Sequence, residues 1–250
     1  MNDREYGTKN PETILLLHGG GLSWWNYRKE AELLQSKYHI VLPILDGHAG
    51  SDRPFTSIED NAAEIVAFID AHFGGSVLLI GGLSLGAQIL LEMLSQRKNI
   101  CKYAIAESAA VLPSKVTDAL IGPSVGSSYG LIRNRSFAKL QFRSLHMTPT
   151  LFEDYYRDTC AIRKSDMIAF LKANTAYSLK PAISETSASV HLFAGAKENR
   201  RILRSLDVIY NAVPGSRKTV IPGLYHGAFS LNHPEEYAQT VNHLMRERPI

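Results

Sequence analysis

Ser76-Val77-Leu78-Leu79-Ile80-Gly81-Gly82-Leu83-Ser84-Leu85-Gly86 sets a serine between two glycines, just beyond an uninterrupted apolar run. Val77 to Ile80 reads as a buried strand. After the serine, Leu85, Ile89, Leu90, Met93 and Leu94 recur at helical spacing, which predicts a helix over 85–97. Strand, G-x-S-x-G and helix together describe a nucleophile elbow. The turn is so tight that the serine backbone is strained and its neighbours must lack bulk. Such a turn lifts the hydroxyl above the sheet and leaves the next amide free to donate. A strand-to-helix turn whose glycines serve packing alone would show the same five residues, so the rest of the chain has to decide.

The 250 residues are enough to bury a large core, and 45% apolar with 20% charged residues is ordinary for a globular domain. A formal net charge of +3 is too small and too dispersed to imply nucleic acid. Cys101 and Cys160 lack metal-ligand spacing and are too few for a disulfide framework, which suits small apolar side chains in a reducing compartment. No apolar run reaches the length of a membrane span, and Met1 to Lys9 lacks a signal-peptide core. These features predict a cytoplasmic protein without membrane or nucleic-acid partners, metal or cofactor. They leave its oligomeric state open.

Short apolar strands alternate with amphipathic helices through the first hundred residues. Strands are predicted at Thr13 to Leu17, Ile40 to Leu45, from Val77, and at Tyr103 to Ala106. Helices are predicted over Trp24 to Leu34 and after Ser57-Ile58-Glu59-Asp60, a start resembling a capping box. From about Pro113 to Ser184 strand-like runs vanish. Phe137 to Leu145, Leu151 to Cys160 and Asp166 to Tyr177 read as helices, and Gly122 to Ser128 as a flexible loop. The alternation then resumes with strands at Val190 to Ala194 and Lys218 to Ile221, and helices at Ile202 to Val213 and Pro234 to Met245. This pattern is an α/β fold, a mostly parallel sheet with helices on both faces. Residues 1–112 and 185–250 form its two parts, interrupted by a helical insertion over 113–184.

A serine hydroxyl needs a base within hydrogen-bond reach, itself oriented by a carboxylate. In an open parallel sheet these groups belong on loops at the carboxyl ends of strands. Among nine histidines, His226 lies on such a loop, in Pro222-Gly223-Leu224-Tyr225-His226-Gly227. His18 ends a strand beside glycines, where organising the backbone is the expected role. His72, His146 and His191 have no neighbours that suggest chemistry. For the acid, Glu198 follows the strand at Val190 to Ala194, with Glu107 at the end of the preceding strand as the alternative. An oxyanion hole requires two convergent amides: Leu85, and Gly20 or alternatively Gly21 from the glycine run after the first strand. That run, His18-Gly19-Gly20-Gly21, matches neither a dinucleotide fingerprint nor a phosphate-binding loop with lysine.

With these pieces in place the chain resembles the α/β-hydrolase superfamily over nearly its whole length. The matching segments are His18-Gly19-Gly20-Gly21, Gly47-His48-Ala49-Gly50-Ser51-Asp52, Gly82-Leu83-Ser84-Leu85-Gly86, Gly195-Ala196-Lys197-Glu198 and Pro222-Gly223-Leu224-Tyr225-His226. The resemblance implies Ser84 as nucleophile, Glu198 as acid, His226 as base, in the family's chain order, and a helical cap over 113–184. It departs from the family at Glu198, where aspartate is usual, and at Ala49, Gln88 and Ile44. The short stretch before Thr13 implies that the first one or two strands of larger relatives are reduced or absent.

A serine nucleophile favours acyl transfer from a small, fairly apolar carboxylic ester, thioester or lactone to water. Trp24, Trp25 and Tyr225 are candidate walls of the acyl pocket. A carbon–carbon bond hydrolase or lyase on the same fold is one alternative. A triad-bearing, ligand-binding signalling module is another.

Overall fold

The computed structural model describes residues 1–246. Seven strands form one sheet in the order β1-β3-β2-β4-β5-β6-β7. They are β1 (Asp3–Tyr6), β2 (Thr13–Leu17), β3 (His39–Pro43), β4 (Val77–Leu83), β5 (Cys101–Glu107), β6 (Ser189–Gly195) and β7 (Arg217–Ile221). Only β1 runs antiparallel to its neighbour; every other pairing is parallel.

The side chains of the central strands divide by alternation. Ile14 and Leu16 point to one face, where α1 (Arg28–Leu34) and α10 (Pro234–Leu244) cover them with Ala31, Leu34, Tyr237 and Val241. Leu15 and Leu17 point to the other face. They meet α2 (Ile58–Phe73), α3 (Leu85–Gln96) and α8 (Arg200–Ala212) through Ile65, Ile69, Leu90 and Leu206. Burial on both sides is why these strands read as continuous apolar runs. The outermost strand β7 is exposed over Arg217 to Val220, and its Arg-Lys start blunts an otherwise open edge.

Ser57 caps α2 as its sequence predicts, its hydroxyl accepting from the Asp60 amide. Two local expectations fail. The strand β1, Asp-Arg-Glu-Tyr, carries no apolar alternation and was not anticipated; it is held by backbone pairing to β3, Asp3 opposite Pro43 and Tyr6 opposite Ile40. Gly122 to Ser128, expected to be a loop, is instead the second half of α4 (Lys115–Ser128), with Pro123 inside the helix. Ile121 and Val125, four residues apart, are buried in the same core cluster as Met167 and Phe170 of α7 (Lys164–Ala176), and this packing overrides the Gly-Pro-Ser composition. The segment at Trp24 also begins as a 3-10 turn, Trp24–Tyr27, before α1.

Between β5 and β6 the chain passes through α4, α5 (Arg135–Ser144), α6 (Phe152–Ala161) and α7. Two buried carboxylates tie this helical stretch to the sheet domain. Asp158 accepts from the Trp25 indole nitrogen at 2.7 Å, and Asp166 accepts from the Phe55 amide at 3.1 Å. Gln88 on α3 adds a third tie, donating to the backbone carbonyls of Ala110 and Asn174 while its Oε1 accepts from the Asn174 side-chain Nδ2. The residue that departs from the family pattern beside the elbow therefore joins α3 to α7.

Candidate active site

Ser84 sits between β4 and α3 with φ 52° and ψ −108°, a conformation that costs an L-residue energy and is stored here by its surroundings. Those surroundings leave no space beside it. A β-carbon on Gly86 would lie 2.2 Å from the Leu17 carbonyl oxygen, and one on Gly82 would lie 2.5 Å from that of Gly86. The elbow is therefore packed against the end of β2, and only glycine permits this approach. The Ser84 amide donates to the Glu107 carbonyl at 2.8 Å, which pins the turn to the neighbouring strand.

His226 lies on the loop after β7. Its Nδ1 is 2.7 Å from Glu198 Oε2. The Glu198 side chain is 1% exposed, and its other oxygen accepts from the Ser108 hydroxyl at 2.7 Å and the Gly195 amide at 2.9 Å. Burial raises the pKa of this carboxyl, but the His226 ring, the Ser108 hydroxyl and the Gly195 amide outweigh it, and the net shift is downward. An ionised carboxylate only accepts, so Nδ1 of His226 donates to it, the tautomer that leaves Nε2 of a neutral ring free to accept a proton. Ser84, Glu198 and His226 line one cavity of about 330 Å³.

The alternative acid, Glu107, is placed close by but bonded elsewhere. Its carboxylate oxygens accept from the amides of Phe229 and Ser230 at 3.0 to 3.3 Å, at the start of α9 (Ala228–Asn232). Complete burial pushes its pKa up to about 7.

Gly20 and Leu85 face each other at the elbow, a β-carbon on Gly20 falling 3.5 Å from Cβ of Leu85. Neither amide donates a hydrogen bond within the protein among the described residues. The alternative donor Gly21 is already engaged, its N–H donating to His48 Nε2 at 3.0 Å. His48 in turn donates from Nδ1 to the Asp46 carbonyl, and His18 accepts from the Leu45 amide and donates to the Gly19 carbonyl. Burial depresses both imidazoles, His48 to about 4, so they are neutral struts beneath the glycine turn. The backbone-organising role expected of His18 is what its bonds show. His48 plays the same part without any sequence signal beyond its place in the second loop.

Two of the three candidate pocket walls lie elsewhere. Trp25 is buried and its ring is committed to Asp158. Trp24 has the guanidinium groups of Arg4 and Arg28 over its ring and lines a separate crevice near the N-terminus. Neither ring lines the Ser84 cavity. Tyr225 does line the cavity, joined by Leu22, Leu83, Met147 and Leu231. Sequence reasoning passed over His146 and Ser108. His146 lines the cavity and stacks on Tyr225 with ring centres 3.7 Å apart, a contact invisible along the chain because 78 residues intervene. Among the described residues no group of three or more His, Cys, Asp or Glu is placed to hold a metal ion.

The model of the alpha/beta hydrolase family matches residues 14–240. The chain belongs to the alpha/beta hydrolase family. An alpha/beta hydrolase superfamily protein of Gibberella zeae is 29% identical over 147 residues, 55% of this chain and 49% of that protein. The aligned region thus spans about half the length of that relative. Among solved structures, the esterase EaEST of Exiguobacterium antarcticum superposes with a TM-score of 0.82 at 17% identity, covering 98% of this chain and 95% of that one. The enol-lactonase of Burkholderia xenovorans LB400 gives 0.80 at 15% identity, with 98% and 96% covered. A thermophilic esterase of Thermogutta terrifontis, solved with malate bound, gives 0.78 at 17%, with 98% and 92% covered. At these identities the likeness establishes the shared fold. In this alpha/beta hydrolase the elbow, the Glu198–His226 pair and the glycine turn all stand at the carboxyl ends of the parallel strands, where open α/β sheets bind ligands.

Proposed function

We propose that this protein is a serine hydrolase that cleaves a small carboxylic ester, thioester or lactone through an acyl-enzyme on Ser84. The observation that carries the reading is the 2.7 Å bond from His226 Nδ1 to the buried Glu198 carboxylate, on the wall of the cavity that holds the strained Ser84. In this mechanism Ser84 Oγ attacks the acyl carbonyl and His226 Nε2 takes its proton. The amides of Leu85 and Gly20 receive the oxyanion, and Glu198 stabilises the imidazolium. His226 then protonates the leaving group, and a water activated by the same nitrogen releases the acid. The helices over 113–184 act as a cap, since Ser144 to Met147 reach the cavity from that stretch. A cavity of about 330 Å³ lined by leucines and a methionine suits a short, largely apolar acyl group. No helix among the described residues is long and apolar enough to cross a membrane. The unbridged cysteines Cys101 and Cys160 fit a reducing, cytoplasmic setting.

A fluorophosphonate probe and burst kinetics with p-nitrophenyl butyrate test the proposal. Wild-type protein should take one equivalent of label and release a burst of nitrophenol, and Ser84→Ala should do neither. Wild-type protein that resists the label, or a Ser84→Ala variant that keeps the burst, overturns it.

A further inference from the structure

We infer that the substrate of this cavity carries a carboxylate, received by Lys197 on a stack made with Tyr225 and His146. The inference rests on reading the Ser84 cavity as the substrate site. Lys197 immediately precedes Glu198, and its backbone N–H donates to the Leu224 carbonyl at 2.9 Å, so the root of its side chain is fixed to the His226 loop. Its ammonium stands 4.9 Å from the centre of the Tyr225 ring. His146 stacks on the same ring, with ring centres 3.7 Å apart and 11° from parallel. Ammonium, phenol and imidazole come from three separate segments: the loop after β6, the His226 loop and the connection after α5. All three line the cavity.

Charge makes this arrangement selective. Lys197 and Glu198 are the only Lys, Arg, Asp or Glu residues lining the cavity among the described residues. Glu198 is consumed by His226, Ser108 and Gly195. Lys197 forms no ion pair among the described residues, and its ammonium stands over the Tyr225 ring. The cavity therefore combines an apolar floor of Leu22, Leu83, Met147 and Leu231 with one exposed, unpaired cation at its edge. A neutral ester leaves that cation to water. An ester whose chain ends in a carboxylate fills the apolar floor and meets the exposed ammonium at the cavity edge, where solvent leaves the ion pair a modest strength. The ring beneath holds the lysine stem in place, so less freedom is lost on binding.

Monoethyl adipate and ethyl pentanoate differ in the terminal carboxylate, and their affinities for the Ser84→Ala protein can be compared by calorimetry without turnover. The carboxylate ester should bind about two- to fivefold more tightly than the neutral one, a ratio in keeping with a solvent-exposed ion pair. Within the same background, Lys197→Met should bring the ratio to about one and Lys197→Arg should keep most of it. Raising the salt concentration should shrink it. Equal affinities, a ratio that survives Lys197→Met, or no measurable binding of monoethyl adipate overturns the inference. Hydrolysis of the two esters by the wild-type protein is read separately. Binding selectivity with no turnover would sink the proposed esterase activity while leaving the anion site standing. Turnover of both esters at equal kcat/KM, with equal affinities, would do the reverse.

Discussion

Glu107 and Glu198 stand at the ends of adjacent parallel strands, with Glu107 paired opposite Phe193, yet their surroundings give them opposite chemistry. Glu198 receives three hydrogen bonds that favour its charge, one of them from His226. Glu107 is fully buried, which outweighs the hydrogen bonds it receives from Phe229 and Ser230, and its pKa rises to about 7. Glu198→Gln should therefore cost on the order of 10⁴-fold in kcat, because an amide no longer holds His226 in the tautomer with a free Nε2. Glu107→Gln should stay within about tenfold of wild type, because a glutamine oxygen can still accept from Phe229 and Ser230. Steady-state rates on one ester decide the matter, and the opposite ranking would move the acid to Glu107. The chain alone could nominate both residues, since each follows an apolar strand. It put Glu198 first by chain order but could not show what separates them, because the deciding partners, Ser108 and the amides after Gly227, are set by folding. Ser84 and His226 were legible for the contrary reason: glycine spacing and loop position are local features.

The elbow is a property of two elements rather than of one residue. Strand β4 and helix α3 meet β2 so closely that Gly86 has backbone carbonyls of Leu17 and His18 within 2.6 Å of where a β-carbon would stand. Gly86→Ala should lower stability by about 3 kcal/mol or abolish soluble expression, since backbone rather than a flexible side chain must yield. Gly20→Ala meets nothing nearer than 3.5 Å and should fold with an unchanged melting temperature. Thermal melts of the two variants compare them directly, and a Gly86→Ala protein as stable as wild type would contradict this packing. Elements that bury a face were readable in the sequence: β2 to β6, α2, α3, α8 and α10 all carry periodic apolar residues. Elements held by other forces were not. The edge strand β1 is specified by backbone pairing to β3, and α4 by two side chains, Ile121 and Val125, against α7. The two tryptophans misled for a related reason: a 3-10 turn rotates Trp25 onto Asp158 of the helical insertion.

Over the whole molecule, function places ionisable groups inside the protein, and they pull stability in opposite directions with pH. His48, depressed to about 4 by burial, stays neutral in the folded chain while the unfolded chain takes up a proton below its ordinary 6.5. Its contribution is present above 6.5 and is lost as pH falls towards 4. Glu107 behaves inversely. Its carboxyl is neutral in both states well below 4.5; between 4.5 and about 7 the unfolded chain releases a proton that the folded chain retains. The unfolded state thus binds fewer protons across that window, so stability falls as pH rises through it and levels off above 7. At 1.36 kcal/mol per pKa unit the decline amounts to about 3 kcal/mol. Glu107→Gln removes this decline and keeps a neutral, isosteric acceptor for the α9 amides. Urea unfolding at closely spaced pH values should find the variant and wild type alike near pH 4.5. The variant should then gain steadily to about 3 kcal/mol by pH 7.5 and hold that lead beyond it. Freed of the opposing carboxyl, its own profile should rise more steeply from pH 4.5 to 6.5, as the buried histidines dictate. A difference between the two proteins that is flat from pH 4.5 to 8 would mean that Glu107 ionises in the folded chain as readily as in the unfolded one, against the complete burial that defines its place behind the site.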